Sequence, residues 1–87
     1  MISLRTITVI GPSSMLLEFS DDSSGMWSAD AVISCATVLT LPLGDPEYFR
    51  RAFIDGDGLA WPNGLEFSAI SLHRRLDEGG LLVRKAA

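Results

Sequence analysis

The sequence predicts a small α+β domain. Its expected core is one mostly antiparallel sheet of about five or six short strands with two short helices, in the order β-β-β-α-β-β-α. Three observations predict it. Apolar and polar residues alternate over short segments, as in MLLEF at residues 15–19. Turn signals punctuate the chain: GPSS, DDSSG, DGDG and PNG. Two stretches carry helix-start signals, one at Asp45-Pro46 and one after Ser68.

Residues 2–10, ISLRTITVI, are rich in β-branched types and read as a strand, with the alternation slipping near Arg5 and Thr6. GPSS turns the chain. In MLLEF, Met15, Leu17 and Phe19 share one face and Glu18 points the other way. Residues 20–25, SDDSSG, read as a hairpin loop, because Asp and Ser bond local backbone and Gly tolerates positive φ. Residues 26–33, MWSADAVI, read as the return strand, and SCATVLTLPL beyond it as strand or extended chain without a helical period.

In DPEYFRR, Asp45 is placed to cap the free N–H groups of a first helical turn, and Pro46 suits the first helical position. This helix is short, since residues 52–54 read as strand and DGDG as a tight turn. The strand ending at Trp61 is stopped by Pro62, and Asn63-Gly64 reverses the chain. Ser68 caps a helix over AISLHRRLDE. Ala69, Leu72 and Leu76 form its stripe, Phe67 and Leu72 its hydrophobic staple, and Gly79-Gly80 its end. Residues 1–78 read as one domain and residues 79–87 as a C-terminal tail, docked or flexible.

Eighty-seven residues bury only a modest core, so a large enclosed substrate cavity is not expected. The net charge of −4 argues against general adhesion to nucleic acid or anionic membrane. That charge is uneven. Residues 1–70 hold three cations against nine acids, and residues 71–87 hold four cations against two acids. One cysteine excludes an internal disulfide, and the longest apolar run, residues 31–43, is shorter than the roughly 20 residues that cross a bilayer. The chain reads as soluble and cytoplasmic, without a signal peptide.

Chemistry-bearing residues are few. His73 is the only histidine and reads as a helix residue between apolar stripe and solvent, because a structural zinc site wants four ligands. Cys35 lies in ISCATV with no charge nearby and reads as a small buried apolar residue rather than a nucleophile. DDSSG and DGDG lack the twelve-residue calcium-loop pattern and read as turns. No glycine-rich phosphate loop is present. Trp27, Trp61, Phe49, Phe53 and Phe67 read as core aromatics. No catalytic residue, metal or cofactor is expected.

Residues 41–73, LPLGDPEYFRRAFIDGDGLAWPNGLEFSAISLH, resemble the bacterial family called domain of unknown function 2442. Leu43, Asp45, Pro46 and Phe49 match its "pL.Dp..F" element. Residues 53–55 match its apolar strand with Asp, and Trp61, Pro62, Asn63 and Gly64 match its "W.nG" turn. LLEFSD resembles its second strand, and Asp30 its Asp after the third. The longer DDSSG stands where that family has Asp-Gly directly. The resemblance implies a small β-rich α/β domain. It also implies a domain that occurs alone or fused to a helix-turn-helix domain, for which this length leaves no room, and that in some members stands in an antitoxin-like gene context. It carries over no catalytic residue.

The leading expectation is therefore a non-catalytic protein-binding module, antitoxin-like or inhibitory. It would occlude a basic, nucleic-acid-acting partner through strand edge and acid-rich loops, with the apolar tail as an anchor. The expected partner-binding residues are Asp21, Asp22, Asp55, Asp57, Arg74 and Arg75. The alternative is a nucleic-acid-associated regulatory domain using the basic C-terminal segment with Trp61. A free strand edge makes a homodimer a further expectation.

Overall fold

The computed structural model describes residues 2–84 and divides their strands between two antiparallel sheets. Strands β1 (Leu4–Val9), β2 (Ser14–Phe19) and β3 (Ser23–Ser28) form a meander. Met15, Leu17 and Phe19 are buried and Glu18 is exposed, as the alternation requires. The slip in β1 is a β-bulge. Leu4 faces Phe19 and Thr6 faces Glu18, which leaves Arg5 as the extra residue.

The β2–β3 connection is shorter than the sequence suggests. Asp21 Oδ1 accepts the Ser23 amide at 3.0 Å and also the Ser23 hydroxyl. Asp22 takes a φ of 67°, a left-handed conformation that Asp tolerates. The return strand therefore begins at Ser23 rather than Met26. Gly25 enters the core because the helix over residues 69–78 crosses it closely: a Cβ there would meet Leu76 Cδ1 at 2.9 Å.

The return strand also ends sooner than expected. Residues Asp30–Ser34 coil into a short helix, α1. Ala29 and Val32 are buried three residues apart, a helical spacing, and the Ser28 hydroxyl accepts the Asp30 amide at 3.2 Å. The following segment is not extended either. Ala36 has a φ of 54°, residues 38–40 turn, and Leu41–Gly44 form one 3-10 turn with Pro42 near its start. Threonine hydroxyls bonding local backbone override the β-branched preference here.

Helix α2 (Pro46–Phe49) starts as its capping signal requires, with Asp45 Oδ1 accepting the Glu47 amide at 3.0 Å. Strands β4 (Phe53–Asp55), β5 (Gly58–Ala60) and β6 (Glu66–Phe67) make the second, three-stranded sheet. Between β5 and β6 the WPNG turn closes on itself. The Gly64 amide donates to the Trp61 carbonyl at 3.1 Å and the Trp61 amide to the Leu65 carbonyl at 3.0 Å. Gly64 has a φ of 93°. Asn63 works outward as well. Its amide donates to the Tyr48 hydroxyl at 3.0 Å and its Nδ2 to the Leu39 carbonyl at 3.1 Å.

Helix α3 (Ala69–Glu78) has Ser68 as its cap and buries the stripe Ala69, Leu72 and Leu76. Gly80, with a φ of 72°, turns the chain back. Strand β7 (Leu82–Arg84) then pairs antiparallel with β3, so this part of the tail joins the first sheet, in the order β1-β2-β3-β7. Residues 85–87 lie outside the described residues. In place of a single sheet of five or six strands, the α+β fold has, among the described residues, seven strands in two sheets. A hydrogen bond from the Leu4 amide to the Asp57 carbonyl, 2.9 Å, joins the two.

The core is aromatic at its centre. Trp27, Phe49, Trp61 and Phe67 meet with ring centroids 5.5–6.5 Å apart. Trp61 is 1% exposed, and its indole N–H donates to the Phe49 carbonyl at 3.1 Å. Phe53, by contrast, is 43% exposed and stands outside the core, because the three-residue β4 turns that side of its strand to solvent.

Two substitutions test this account by urea unfolding. Trp61→Phe keeps a ring but strands the Phe49 carbonyl, and is expected to cost about 1–3 kcal/mol. Gly58→Ala places a methyl 2.5 Å from the Phe67 carbonyl oxygen and is expected to lose a similar amount through separation of β5 and β6. Wild-type stability in either variant would contradict the packing described.

Candidate functional site

The acid-rich turns converge. The Ser20 amide donates to the Ser3 carbonyl at 2.8 Å, and the Ser20 hydroxyl accepts the Ser3 amide at 3.0 Å. The neighbouring Leu4 amide binds Asp57. The β2–β3 turn with Asp21 and Asp22 and the β4–β5 turn with Asp55 and Asp57 are thus tied to adjacent residues, Ser3 and Leu4, where β1 begins. The second turn borders an open groove of about 190 Å³, lined by Asp55, Asp57, Glu66 and Ser68 over Leu59 and Phe67. Glu66 was not evident as a site residue. Its signal is the β period, in which Leu65 is buried and Glu66 faces outward.

The acids differ in what they already hold. Arg5, swung out by its bulge, reaches Asp22 Oδ1 at 3.1 Å and the Ser20 carbonyl at 3.0 Å. With both side chains more than half exposed, this pair contributes little stability but lowers the local negative charge. Asp21 is bound on three sides, by the Ser23 amide, the Ser23 hydroxyl and His73 Nε2 at 3.0 Å. None of the ion pairs among the described residues involves Asp55, Asp57 or Glu66. Of the acids in the two turns and the groove beside them, these three are the ones that no such pair engages. Arg74 and Arg75 lie on the exposed side of α3, away from its buried stripe, and no ion pair among the described residues uses them.

Ser23, Asp21 and His73 are the residue types of a hydrolytic triad in the wrong order. The carboxylate sits in the middle, so the Ser23 hydroxyl faces Asp21 and not the imidazole. Ser23 is also buried. The arrangement locks the turn onto α3, with the His73 ring edge-on to Phe19 at 5.2 Å. Fifty-two positions separate Asp21 from His73, and no short-range pattern announces their contact.

A second open groove of about 410 Å³ crosses the same end of the first sheet, between Arg5, Glu18, Asp22 and Val83. Its charged groups are partly engaged already: Glu18 accepts the Thr6 hydroxyl at 2.6 Å, and Arg5 holds Asp22. Among the described residues, no three His, Cys, Asp or Glu side chains are placed to hold a metal ion, and no helix is long and apolar enough to cross a membrane. Cys35 is exposed rather than buried, because α1 ends there and the chain turns away from the core. Its Sγ lies 3.5 Å from the Ala31 carbonyl. Compared with protein-family models, curated proteins and solved structures, the chain matches none.

The Asp21 lock has a pH consequence. The Ser23 hydroxyl, the Ser23 amide and His73 together outweigh partial burial and hold the Asp21 carboxyl down to about 2 from its ordinary 3.8. A carboxyl depressed by folding stabilises the native state above its unfolded pKa, and that contribution disappears as pH falls from about 4 towards 2. Asp21→Asn is expected to flatten this part of the stability–pH curve, followed by thermal melting. A carboxyl NMR titration placing the Asp21 midpoint at or above 3.8 would refute the lock.

Proposed function

We propose that the chain is a non-catalytic protein-binding module, antitoxin-like or inhibitory, whose acid-lined end covers a cationic surface on a basic partner. The observation that carries this reading is the groove shared by Asp55, Asp57 and Glu66, with the Asp21–Asp22 turn tied to the same stretch of β1. Three carboxylates without an ion pair among the described residues raise the local concentration of a cationic partner and steer its approach. The resemblance of residues 41–73 to domain of unknown function 2442 supports the same reading through its implied gene context. The order Ser23–Asp21–His73 supplies no activated hydroxyl and so lends hydrolysis no support.

The nucleic-acid alternative fares less well. Trp61 is 1% exposed and its indole N–H is occupied, so it offers no face on which a base could stack. Arg74 and Arg75 remain, close in sequence to Asp77 and Glu78.

With the wild-type chain as bait in an extract of its source cells, a basic protein released by salt is the expected capture. Against that purified protein, the double substitution Asp55→Lys with Asp57→Lys is expected to slow association about tenfold or more at low ionic strength and to flatten its salt dependence. An unchanged association rate would sink the proposal, as would retention of short duplex RNA or DNA in place of protein.

A further inference from the structure

Asn63 carries the only side-chain amide of the chain, which has no other asparagine and no glutamine. Gly64 follows it, and Pro62, Asn63 and Gly64 are all exposed between buried Trp61 and Leu65. Asparagine is a chemically labile residue. Before glycine it is most so, because no side chain obstructs the glycine nitrogen as it approaches the amide carbon. The space beside Gly64 is open, with nothing within 4 Å of where a Cβ would stand.

Hydrogen bonds hold this turn shut. The Gly64 N–H donates to the Trp61 carbonyl at 3.1 Å. Asn63 Oδ1 accepts the Leu65 amide at 3.1 Å, and Nδ2 donates to the Leu39 carbonyl at 3.1 Å. The backbone amide of Asn63 donates to the Tyr48 hydroxyl at 3.0 Å. The nitrogen that could attack is thus tied through its proton, and the amide it would attack is pinned at both ends.

We propose that Asn63 is a self-modification site, deamidated by the Gly64 nitrogen whenever the turn opens and protected while these bonds stay closed. The Gly64 nitrogen forms a bond to Asn63 Cγ, and the Cγ–Nδ2 bond breaks. Nδ2 leaves as ammonia with the proton that the Gly64 amide gives up. Water then adds to one carbonyl of the resulting five-membered imide and opens it to aspartate or isoaspartate. Nothing is oxidised or reduced, and water is the one co-reactant.

The atom that departs is the one that holds Leu39. A carboxylate has no donor for the Leu39 carbonyl and sets a negative charge against it, within residues 31–44, a stretch with no formal charge. Isoaspartate also lengthens the backbone by one carbon, which spoils the closure between Trp61 and Leu65. Either product releases residues 37–41 from the turn. The change is irreversible, so chains acquire it with age, at a rate set by how often the turn opens. It does not depend on the partner-binding reading above.

Intact-mass spectrometry of the full chain tests the proposal. It reads this site alone, because isomerisation at Asp55-Gly56 or Asp57-Gly58 leaves the mass unchanged. In mildly alkaline buffer with urea, the chain is expected to gain the mass that replacing –NH2 by –OH brings. The folded chain is expected to do so at least about tenfold more slowly. Tyr48→Phe removes the hydroxyl that holds the Asn63 amide, and is expected to speed the folded reaction about threefold or more with the urea rate unchanged. Circular dichroism melting checks that this variant is folded. Asn63→Asp copies one product, and is expected to speed hydrogen exchange over residues 37–41 about tenfold while β2 keeps its protection. No mass gain in urea overturns the proposal, as does a folded rate equal to the urea rate. A folded Tyr48→Phe chain reacting at the wild-type rate overturns it too. So does Asn63→Asp exchange that matches wild type, or that rises equally in β2.

Discussion

The Trp61 indole cannot be buried unless its N–H finds an acceptor, and the acceptor it finds is the Phe49 carbonyl at the end of α2. That requirement fixes α2 against the second sheet. Tyr48, one residue earlier, then reaches the Asn63 amide, and Asn63 in turn holds Leu39. Trp27 brings the first sheet to the same cluster through contacts with Phe49, Trp61 and Phe67. The position of the segment around Leu39 thus follows from one buried donor and the rings around it.

The elements legible in the sequence are those whose signal is local. Asp45 and Ser68 announce their helices because a cap needs only a side-chain oxygen two or three residues from a free amide. The Asn63-Gly64 reversal is legible for the same reason. The errors fall where a side-chain contact, distant or local, overrides the preference of the backbone. Gly25 reads as loop, yet serves in a strand because Leu76 of α3 needs the space. The β-branched residues after Ser34 read as extended, yet Thr37 and Thr40 bond to each other and fold the segment into turns. The way the two sheets meet was not legible, since the Leu4–Asp57 bond that joins them links segments with no shared pattern.

The site was partly legible. The turn aspartates are evident from composition, but their differing availability is not. Asp21 is engaged by Ser23 and His73 and Asp22 by Arg5, whereas Asp55 and Asp57 join Glu66 along a groove. The bulge at Arg5 is what separates these roles. By adding one residue to β1, it aims a cation at the first turn and leaves the second uncompensated. Electrostatic asymmetry in a chain of this size therefore arises from backbone register as much as from which residues are acidic.

The sulfur of Cys35 offers a practical handle. It is the sole thiol of the chain, it faces solvent at the end of α1, and it sits in the charge-free stretch rather than among the carboxylates. A maleimide dye attached there would ride near the exposed side chains of Val38 and Leu39 and leave the acid-lined groove unencumbered. Its emission would follow events at one end of the molecule while the other remained free to engage a cationic surface.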